Sequence, residues 1–298
     1  MTRINLDQIA AFLSVVRLGG VRKAAQMLNL TQPAVTSRIK NLELSLSKVL
    51  FDRTAGGLGL TKDGELLLKY AERFEQLAEL VESNVVDPRG LEGYLRIGAS
   101  ETIAQCWLPD FVTRLHRRFP GLELEINVDV SVNLRADLLD RKIDLAFLLG
   151  PISEYTVDNI DLPDFDLAWY IATDIEPRGA DPASFLQKPV LTYARNTRPY
   201  RELKALLCEK VGPGVTLFPS SSLSACFRLV EAGIGVAALP RALGKPHVDA
   251  GGICEFDPGW VPNPLRFTAS YLGEPKSHLI ETAARIAREV ADDFDGNQ

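Results

Sequence analysis

Cysteine and histidine are scarce in this chain of 298 residues, which has four of the first and three of the second. No two cysteines form a C-x-x-C pair, and no histidine stands at the spacing of a metal ligand. A disulfide framework and a recognisable metal motif are therefore excluded. Free thiols in a reducing compartment are favoured, with a redox pair left open. The residues are Cys106, Cys208, Cys226, Cys254, His116, His247 and His278.

Long apolar runs are also missing from the sequence. No stretch approaches the roughly 20 apolar residues of a membrane-spanning helix. The first apolar run, residues 11–16, lies inside an amphipathic pattern, and no cleavage pattern follows it. We therefore predict neither a signal peptide nor a membrane partner, and expect a protein of the cytoplasm.

Positive charge is concentrated at one end of the chain. Residues 1–60 carry eight Lys or Arg and three acidic residues, a net charge of +5, although the whole chain carries −6. The remaining residues therefore carry −11. A basic head on an acidic body is typical of a protein whose N-terminal part meets phosphate.

Residues 18–43 have the pattern of two short helices joined by a tight turn. Small residues, Ala24 and Ala25, mark the first helix, and Thr31 is placed to cap the second, with Pro33 in its first turn. The second helix has an apolar stripe formed by Val35, Ile39 and Leu42. Its other face carries Gln32, Thr36, Ser37, Arg38 and Lys40. This pattern is typical of a DNA-binding helix-turn-helix, with an ordinary helical hairpin as the alternative.

The next two segments favour the DNA-binding interpretation. Residues 44–60, with glycines near their end, predict a β-hairpin wing whose best phosphate contact is Arg53. A long helix then runs from Thr61, its N-cap, to about Val85. Its apolar residues recur at spacings of three and four, as in a helix that pairs with another helix. They are Leu67, Tyr70, Phe74, Leu77 and Val81. We interpret this as a dimerisation helix, with packing on its own chain as the alternative.

From residue 91 the pattern changes to alternating strands and helices. Strands are predicted at residues 94–98, 122–130 and 143–149, separated by amphipathic helices, and a similar series runs from residue 165 to residue 294. This order predicts parallel sheets with helices on both faces. The length favours two subdomains over one.

With these elements placed, the sequence resembles the LysR-type transcriptional regulators. The resemblance is strongest in the first 65 residues and looser in the body, where Leu95–Gly98, the Phe119-Pro120 pair and residues 232–240 match. In the N-terminal part the matching residues are Leu6, Phe12, Gly19, Gly20, Ala24, Ala25, Leu28, Thr31–Thr36, Ile39, Leu42, Glu43, Leu50–Arg53 and Leu60–Gly64.

The resemblance implies an α/β chain with an N-terminal winged helix-turn-helix and linker helix, followed by two Rossmann-like subdomains resembling a periplasmic solute-binding protein. We expect a DNA-binding domain at 1–61, a linker helix at 62–90 and an effector-binding domain at 91–298. The chain would cross between subdomains near Ala168 and Phe267. The first subdomain is then 91–167 with 268–298, and the second is 168–267.

Side-chain chemistry suggests different roles within the predicted DNA-binding set. Gln32 and Thr36 are placed to contact base edges, and Arg22, Lys23, Arg38 and Arg53 are candidates for phosphate. Many relatives have Ser-Arg where Thr36 and Ser37 stand here, and Arg38 lies one position later. The complete set is Arg22, Lys23, Thr31, Gln32, Pro33, Thr36, Ser37, Arg38, Lys40 and Arg53.

Three polar segments at the predicted ends of strands form the candidate effector site, because ligands of open α/β sheets bind beyond the carboxyl ends of strands. In the family, the positions of Ser100 and Thr102 often contact the effector. Facing them we expect Asn196, Thr197 and Arg198, with Ser220, Ser221 and Ser222. Hydroxyls, a helix start and Arg198 suit a small organic acid. The alternative for Ser222 is a simple helix cap, and for Arg198 a solvated side chain.

Rival classes have weaker support. Residues 98–102 lack the last glycine of a nucleophile elbow, and residues 233–238 run into a strand where a dinucleotide fingerprint needs a helix. An α/β enzyme or a solute-binding protein acting on a small anion remains the alternative. The resemblance implies promoter DNA, a second copy in a dimer or tetramer, and an effector as partners, with RNA polymerase as a further candidate. No cofactor, metal or catalytic residue is predicted.

Overall fold

The computed structural model describes residues 4–54, 57–81, 93–174, 181–274 and 277–296. The chain divides into two compact units, residues 1–89 and 90–298. The α-helices are α1 (Leu6–Leu18), α2 (Val21–Met27), α3 (Gln32–Leu46), α4 (Lys62–Val81), α5 (Glu101–Cys106), α6 (Leu108–Arg118), α7 (Ser131–Leu139), α8 (Arg198–Lys210), α9 (Leu223–Glu231), α10 (Arg241–Asp249) and α11 (His278–Asp295). The strands are β1 (Phe51–Thr54), β2 (Gly57–Leu60), β3 (Gly93–Ala99), β4 (Leu122–Val128), β5 (Leu145–Leu149), β6 (Val157–Asp161), β7 (Leu167–Ala172), β8 (Val190–Thr192), β9 (Leu217–Pro219), β10 (Val236–Pro240), β11 (Ile253–Phe256) and β12 (Phe267–Leu272).

The first unit is a three-helix core with a hairpin and the start of α4 packed on it. Phe12 of α1, Leu42 of α3 and Leu50 before the hairpin are almost fully buried there. Strands β1 and β2 pair antiparallel, as the predicted wing requires. Helix α4 lies close to the backbone of Leu50 at Gly64, where an added Cβ would lie 2.2 Å from the Leu50 carbonyl oxygen. Glycine is therefore needed at this contact.

The start of α1 differs in one detail from the sequence pattern, which suggests a reciprocal cap between Asn5 and Gln8. Asn5 does cap the helix, since its side-chain oxygen accepts a hydrogen bond from the Asp7 N–H at 2.9 Å. Gln8 does not return the bond, and its Oε1 is buried without a hydrogen-bond partner. The N-cap bond is therefore present without the reciprocal bond of a capping box.

The second unit contains two five-stranded sheets built on one plan. The first sheet has the order β4-β3-β5-β12-β6 and the second has the order β11-β7-β10-β8-β9. In each, three adjacent strands run parallel: β4, β3 and β5 in the first sheet, and β9, β8 and β10 in the second. In the first sheet, β12 pairs antiparallel with β5 and with the outer strand β6. In the second sheet, β7 pairs antiparallel with β10 and with the outer strand β11.

These sheets are mixed, so the predicted parallel pairing holds for three strands of each sheet and is wrong for the other two. The chain leaves the first sheet after β6 and enters the second as β7, then returns after β11 as β12. Each entering strand comes from the neighbouring subdomain, and it pairs antiparallel with the last parallel strand. The two crossing segments pair with each other, since Phe165 and Leu265 exchange N–H···O bonds of 3.0 and 2.9 Å.

Some elements have no counterpart in the sequence-based expectations. They are β6, β11, α10 and a 3-10 helix at Pro182–Gln187. All are short, and three of them lie at sheet margins or in connections, where alternation is weak. Among the described residues, none of the helices combines the length and apolar character needed to cross a membrane.

Candidate functional site

Helix α3 is amphipathic, with one apolar face buried in the first unit and one polar face exposed. Val35 and Leu42 are fully buried in the core of the first unit, as the sequence stripe predicts. Thr31 caps the helix, because its Oγ1 accepts a hydrogen bond from the Ala34 N–H at 3.3 Å. The first turn, including exposed Gln32 and Pro33, is thereby held in helical geometry.

The hydroxyl of Thr36 is already engaged. It donates to the carbonyl oxygen of Gln32 at 2.9 Å, one turn back along α3. Its remaining capacity is as an acceptor, which suits an exocyclic amino group of adenine or cytosine. Ser37 and Lys40 are exposed and open to a partner surface.

Arg38, a predicted candidate for phosphate contact, is half-buried and paired within the unit. Its Nη2 lies 3.4 Å from a carboxylate oxygen of Asp7 in the first turn of α1. The two cations of α2, Arg22 and Lys23, are exposed. The side chain of Arg53 lies outside the described part of the chain. Arg22, Lys23 and Lys40 are therefore the more accessible cations of the predicted set.

Helix α4 has an exposed apolar face, but its membership differs from the predicted seam. Tyr70, Phe74, Leu77 and Val81 are between 39% and 52% exposed. Leu67, also in the predicted seam, is partly buried and packs against the core of the first unit. Leu66, 55% exposed, lies on the open side. The Arg17 guanidinium of α1 bonds both carboxylate oxygens of Glu75, which ties α4 to the unit.

A cavity of about 340 Å³ lies in the second unit where the carboxyl ends of parallel strands from both sheets meet. Both hydroxyl groups and apolar side chains line it. Predicted residues lining the cavity are Ser100, Thr102, Thr197, Ser220, Ser221 and Ser222. Residues that the sequence patterns did not single out are Glu101, Val128, Asp129, Val130, Ser131, Leu149, Tyr193, Ala194, Pro199, Leu223, Leu265 and Phe267. Asp129 and Ser131 follow β4, so the strand-end rule could have found them.

Two predicted effector contacts do not line the cavity. Asn196 and Arg198 are exposed at the start of α8. The Arg198 guanidinium donates to the Gly150 carbonyl oxygen at 3.3 Å and lies 3.8 Å from a carboxylate oxygen of Glu202. Arg198 is therefore engaged by other groups of the chain and does not line the cavity, while the neighbouring Thr197 does.

The described lining of the cavity includes two carboxylates, and each accepts hydrogen bonds near the start of a helix. Asp129 accepts from the Val130 N–H at 2.7 Å and from the Asn133 amide at 3.0 Å, before α7. Glu101 accepts from the Leu223 N–H at 2.5 Å and from the Ser224 N–H at 3.0 Å, at the start of α9. Among the described lining residues there is no Lys, Arg or His. Recognition here depends on hydroxyls, N–H groups and apolar contact.

One lining hydroxyl has no hydrogen-bond partner. Ser100 is 8% exposed, and its Oγ is buried and unsatisfied. Its backbone N–H is committed to the Phe147 carbonyl oxygen at 2.9 Å, which fixes the residue at the end of β3. A buried hydroxyl without a partner costs free energy, so a ligand that bonds this oxygen would gain from it.

The buried thiols are poorly suited to nucleophilic chemistry. Burial raises the pKa of the Cys106 thiol to about 12. Burial is also the largest cause that raises the pKa of the Cys226 thiol to about 11. A thiol with such a pKa is almost entirely protonated near neutral pH. No group of His, Cys, Asp or Glu side chains in the described ranges could hold a metal ion.

Comparison with known families accounts for nearly the whole chain. The model of bacterial regulatory helix-turn-helix proteins of the lysR family matches residues 6–65, and the model of the LysR substrate binding domain matches residues 88–292. The chain belongs to the LysR family. It is a DNA-binding transcriptional regulator with an effector-binding domain.

Curated relatives of this LysR regulator agree in length and name. The HTH-type transcriptional regulator YofA of Bacillus subtilis is 35% identical over 231 residues, which cover 78% of this chain and 79% of YofA. The regulator GltR of the same organism is 28% identical over 251 residues, 84% of each chain.

Solved structures share the fold of the LysR regulator. A full-length OxyR variant from Pseudomonas aeruginosa has a TM-score of 0.70 at 21% identity, covering 97% of this chain and 95% of that chain. CbnR, described in complex with its target DNA, has a TM-score of 0.64 at 19% identity, covering 97% and 100%.

Proposed function

We propose that this LysR regulator contacts the bases of its operator through α3 and binds a small carboxylate in the cavity of the second unit. The observation that carries the first part is the capped first turn of α3, in which Gln32 is exposed while the opposite, apolar face of the helix is buried. The regulator would act in the cytoplasm, where its DNA is, without catalysing a reaction.

Pairing of two copies is the third part of the proposal. Leu66, Tyr70, Phe74, Leu77 and Val81 form a continuous apolar strip along α4 that the first unit leaves uncovered. Strips at this spacing pack against a second helix. A dimer presents two α3 helices at once, so weak contacts of single heads combine into stronger binding. Tetramer formation and contact with RNA polymerase remain expectations from the family.

A gel-shift titration tests the first part with the full-length protein and the DNA upstream of its own gene. A bidentate contact of Gln32 with adenine is worth about 1–3 kcal/mol, roughly 5- to 150-fold in affinity. Gln32→Ala should lose that factor on the operator and little on random DNA. Gln26→Ala changes another exposed glutamine, on α2, and is the matched control. Equal losses on both DNAs would refute base reading by Gln32.

Thermal-shift screening tests the second part. The cavity offers hydroxyls from both sheets and no cation among its described lining residues, so a small carboxylate would be held by hydrogen bonds alone. We expect small carboxylates with an apolar body to raise the melting temperature. Stabilisation by amines or sugars only would refute the proposed effector class while leaving the DNA-binding proposal intact.

A further inference from the structure

Glu101 forms a direct connection between the two sheets of the second unit. It lies in the first turn of α5, immediately after β3 of the first sheet, while its carboxylate sits on the start of α9, beside the second sheet. Besides the N–H groups of Leu223 and Ser224, it accepts from the Ser224 hydroxyl at 2.6 Å and from the Ser222 hydroxyl at 3.3 Å. The Gln105 amide adds a bond of 2.9 Å.

These contacts make the start of α9 a carboxylate receptor. Free N–H groups at a helix start carry partial positive charge and bind anions well. Here two N–H groups and two hydroxyls converge on one carboxylate. Ser222 and Leu223 also line the cavity, so the receptor opens onto the space proposed for the effector.

A second observation points to a ligand at the same place. Ser100, the residue before Glu101, is 8% exposed, lines the cavity, and has an Oγ without a hydrogen-bond partner. The other carboxylate of the cavity, Asp129, is committed to Val130 and Asn133. With no cation among the described lining residues, an anion in the cavity depends on N–H groups and hydroxyls, and at the start of α9 such groups already bind the Glu101 carboxylate.

We propose that Glu101 occupies the anchoring point of the effector in the ligand-free chain, and that the effector carboxylate displaces it. The exchange replaces a connection within the chain by one through the ligand. Binding would thereby remove the Glu101 bonds between α5 and α9, leaving the bond of 2.7 Å from the Gln105 amide to the Ser224 hydroxyl, and would change how the two sheets are held together. This inference rests on the proposed function, because it takes the effector to be a carboxylate.

Acetate is the probe that tests the receptor. Glu101→Ala removes one methylene, the carboxyl carbon and its two oxygens, which is the heavy-atom content of acetate. We expect the full-length Glu101→Ala protein to melt at a lower temperature than wild type and to recover with sodium acetate. Sodium chloride of equal ionic strength and neutral acetamide should not restore it. The acetate concentration for half the effect should be at least tenfold lower than in wild type, where Glu101 competes.

Two further variants keep the inference falsifiable if Glu101→Ala folds poorly. Glu101→Gln retains the shape but loses the charge, so acetate should stabilise it more than it stabilises wild type. Adding Ser224→Ala, which removes one hydroxyl of the receptor, should weaken that gain. An acetate response equal to that of chloride in both Glu101 variants would overturn the receptor.

A separate measurement distinguishes this inference from the proposed function. If acetate restores Glu101→Ala but no small carboxylate stabilises wild type, the proposed effector class and its displacement of Glu101 are both overturned. If small carboxylates stabilise wild type and acetate has no specific effect on either Glu101 variant, the proposed function survives and this inference is wrong. Gel shifts on the same samples report DNA binding independently.

Discussion

Neutralising Asp7 should strengthen DNA binding by freeing Arg38. The two side chains form an ion pair at 3.4 Å in the structure, with 31% of the Arg38 side chain and 67% of the Asp7 side chain exposed. Such an exposed pair is worth about 0.2–1 kcal/mol. In Asp7→Asn the Arg38 guanidinium could contact a phosphate without first breaking that ion pair. The substitution would also remove a negative charge that repels the DNA.

The expected size follows from the pair and from counterion release. Recovering at most about 1 kcal/mol corresponds to roughly 2- to 5-fold tighter binding at low salt. One additional phosphate contact steepens the slope of log K against log salt by about 0.9. Between 50 and 200 mM salt, the variant should therefore lose about 3.5-fold more affinity than wild type, so the gain is confined to low salt. Asp7 also lies in the first turn of α1, so its loss should cost about 0.3–1 kcal/mol of stability.

Fluorescence anisotropy with labelled operator and random DNA, at several salt concentrations, measures both effects. Affinity should rise on both DNAs, because a phosphate contact carries no sequence information. Arg38→Ala and the double variant complete a double-mutant cycle. An equal gain from Asp7→Asn in the Arg38→Ala background would show that Asp7 acts through its own charge and would refute the reasoning.

Three further predictions concern stability and assembly. Thr31→Ala removes the cap of α3 and should cost about 1 kcal/mol in urea unfolding; no change would mean that the first turn is held otherwise. Leu77→Glu should shift sedimentation toward the monomer without lowering the melting temperature, whereas Leu67→Ala should cost about 2 kcal/mol; the reverse pattern would exchange their assigned surfaces. The hydrogen bond from the His247 ring, at 2.6 Å, is the largest cause lowering the pKa of Glu231. Stability from this pair is present above the ordinary pKa of glutamate and is lost as pH falls through the lowered value. His247→Gln should therefore reduce stability near neutral pH by about 1 kcal/mol and flatten the acid limb of the unfolding curve, which wild-type-like acid unfolding would contradict.

In the first unit, local sequence patterns predicted the cap and buried face of α3 but not the orientation of α4. Thr31 as a cap and the buried stripe of Val35 and Leu42 follow from helix periodicity and capping chemistry, and the structure has both. Helix α4 is different, because apolar residues occur on two of its sides. Leu67 is partly buried against the core and Leu66 is exposed, and the spacing alone does not decide which side faces the core. That choice depends on where α1 and the hairpin lie.

In the second unit, the sequence likewise predicted some of the residues that line the cavity but not the contacts that they make. Strand ends predicted the serine and threonine hydroxyls that line it, since Ser100 and Ser220 each follow a strand. The direction of Arg198 could not be predicted, because one residue along a helix rotates a side chain by about 100°. The partner of Glu101 was equally hidden, since Leu223 and Ser224 are more than 120 positions away in sequence.

By itself, the sequence determined the helix-turn-helix, the wing, the two-part α/β body and membership of the LysR family, because capping, periodicity and spacing act over a few residues. Only the tertiary structure decided which cations are paired, which side of α4 stays open and what occupies the start of α9. These depend on contacts between distant segments. Arg38 meets Asp7 and Glu101 meets Ser224 only after packing has brought their elements together.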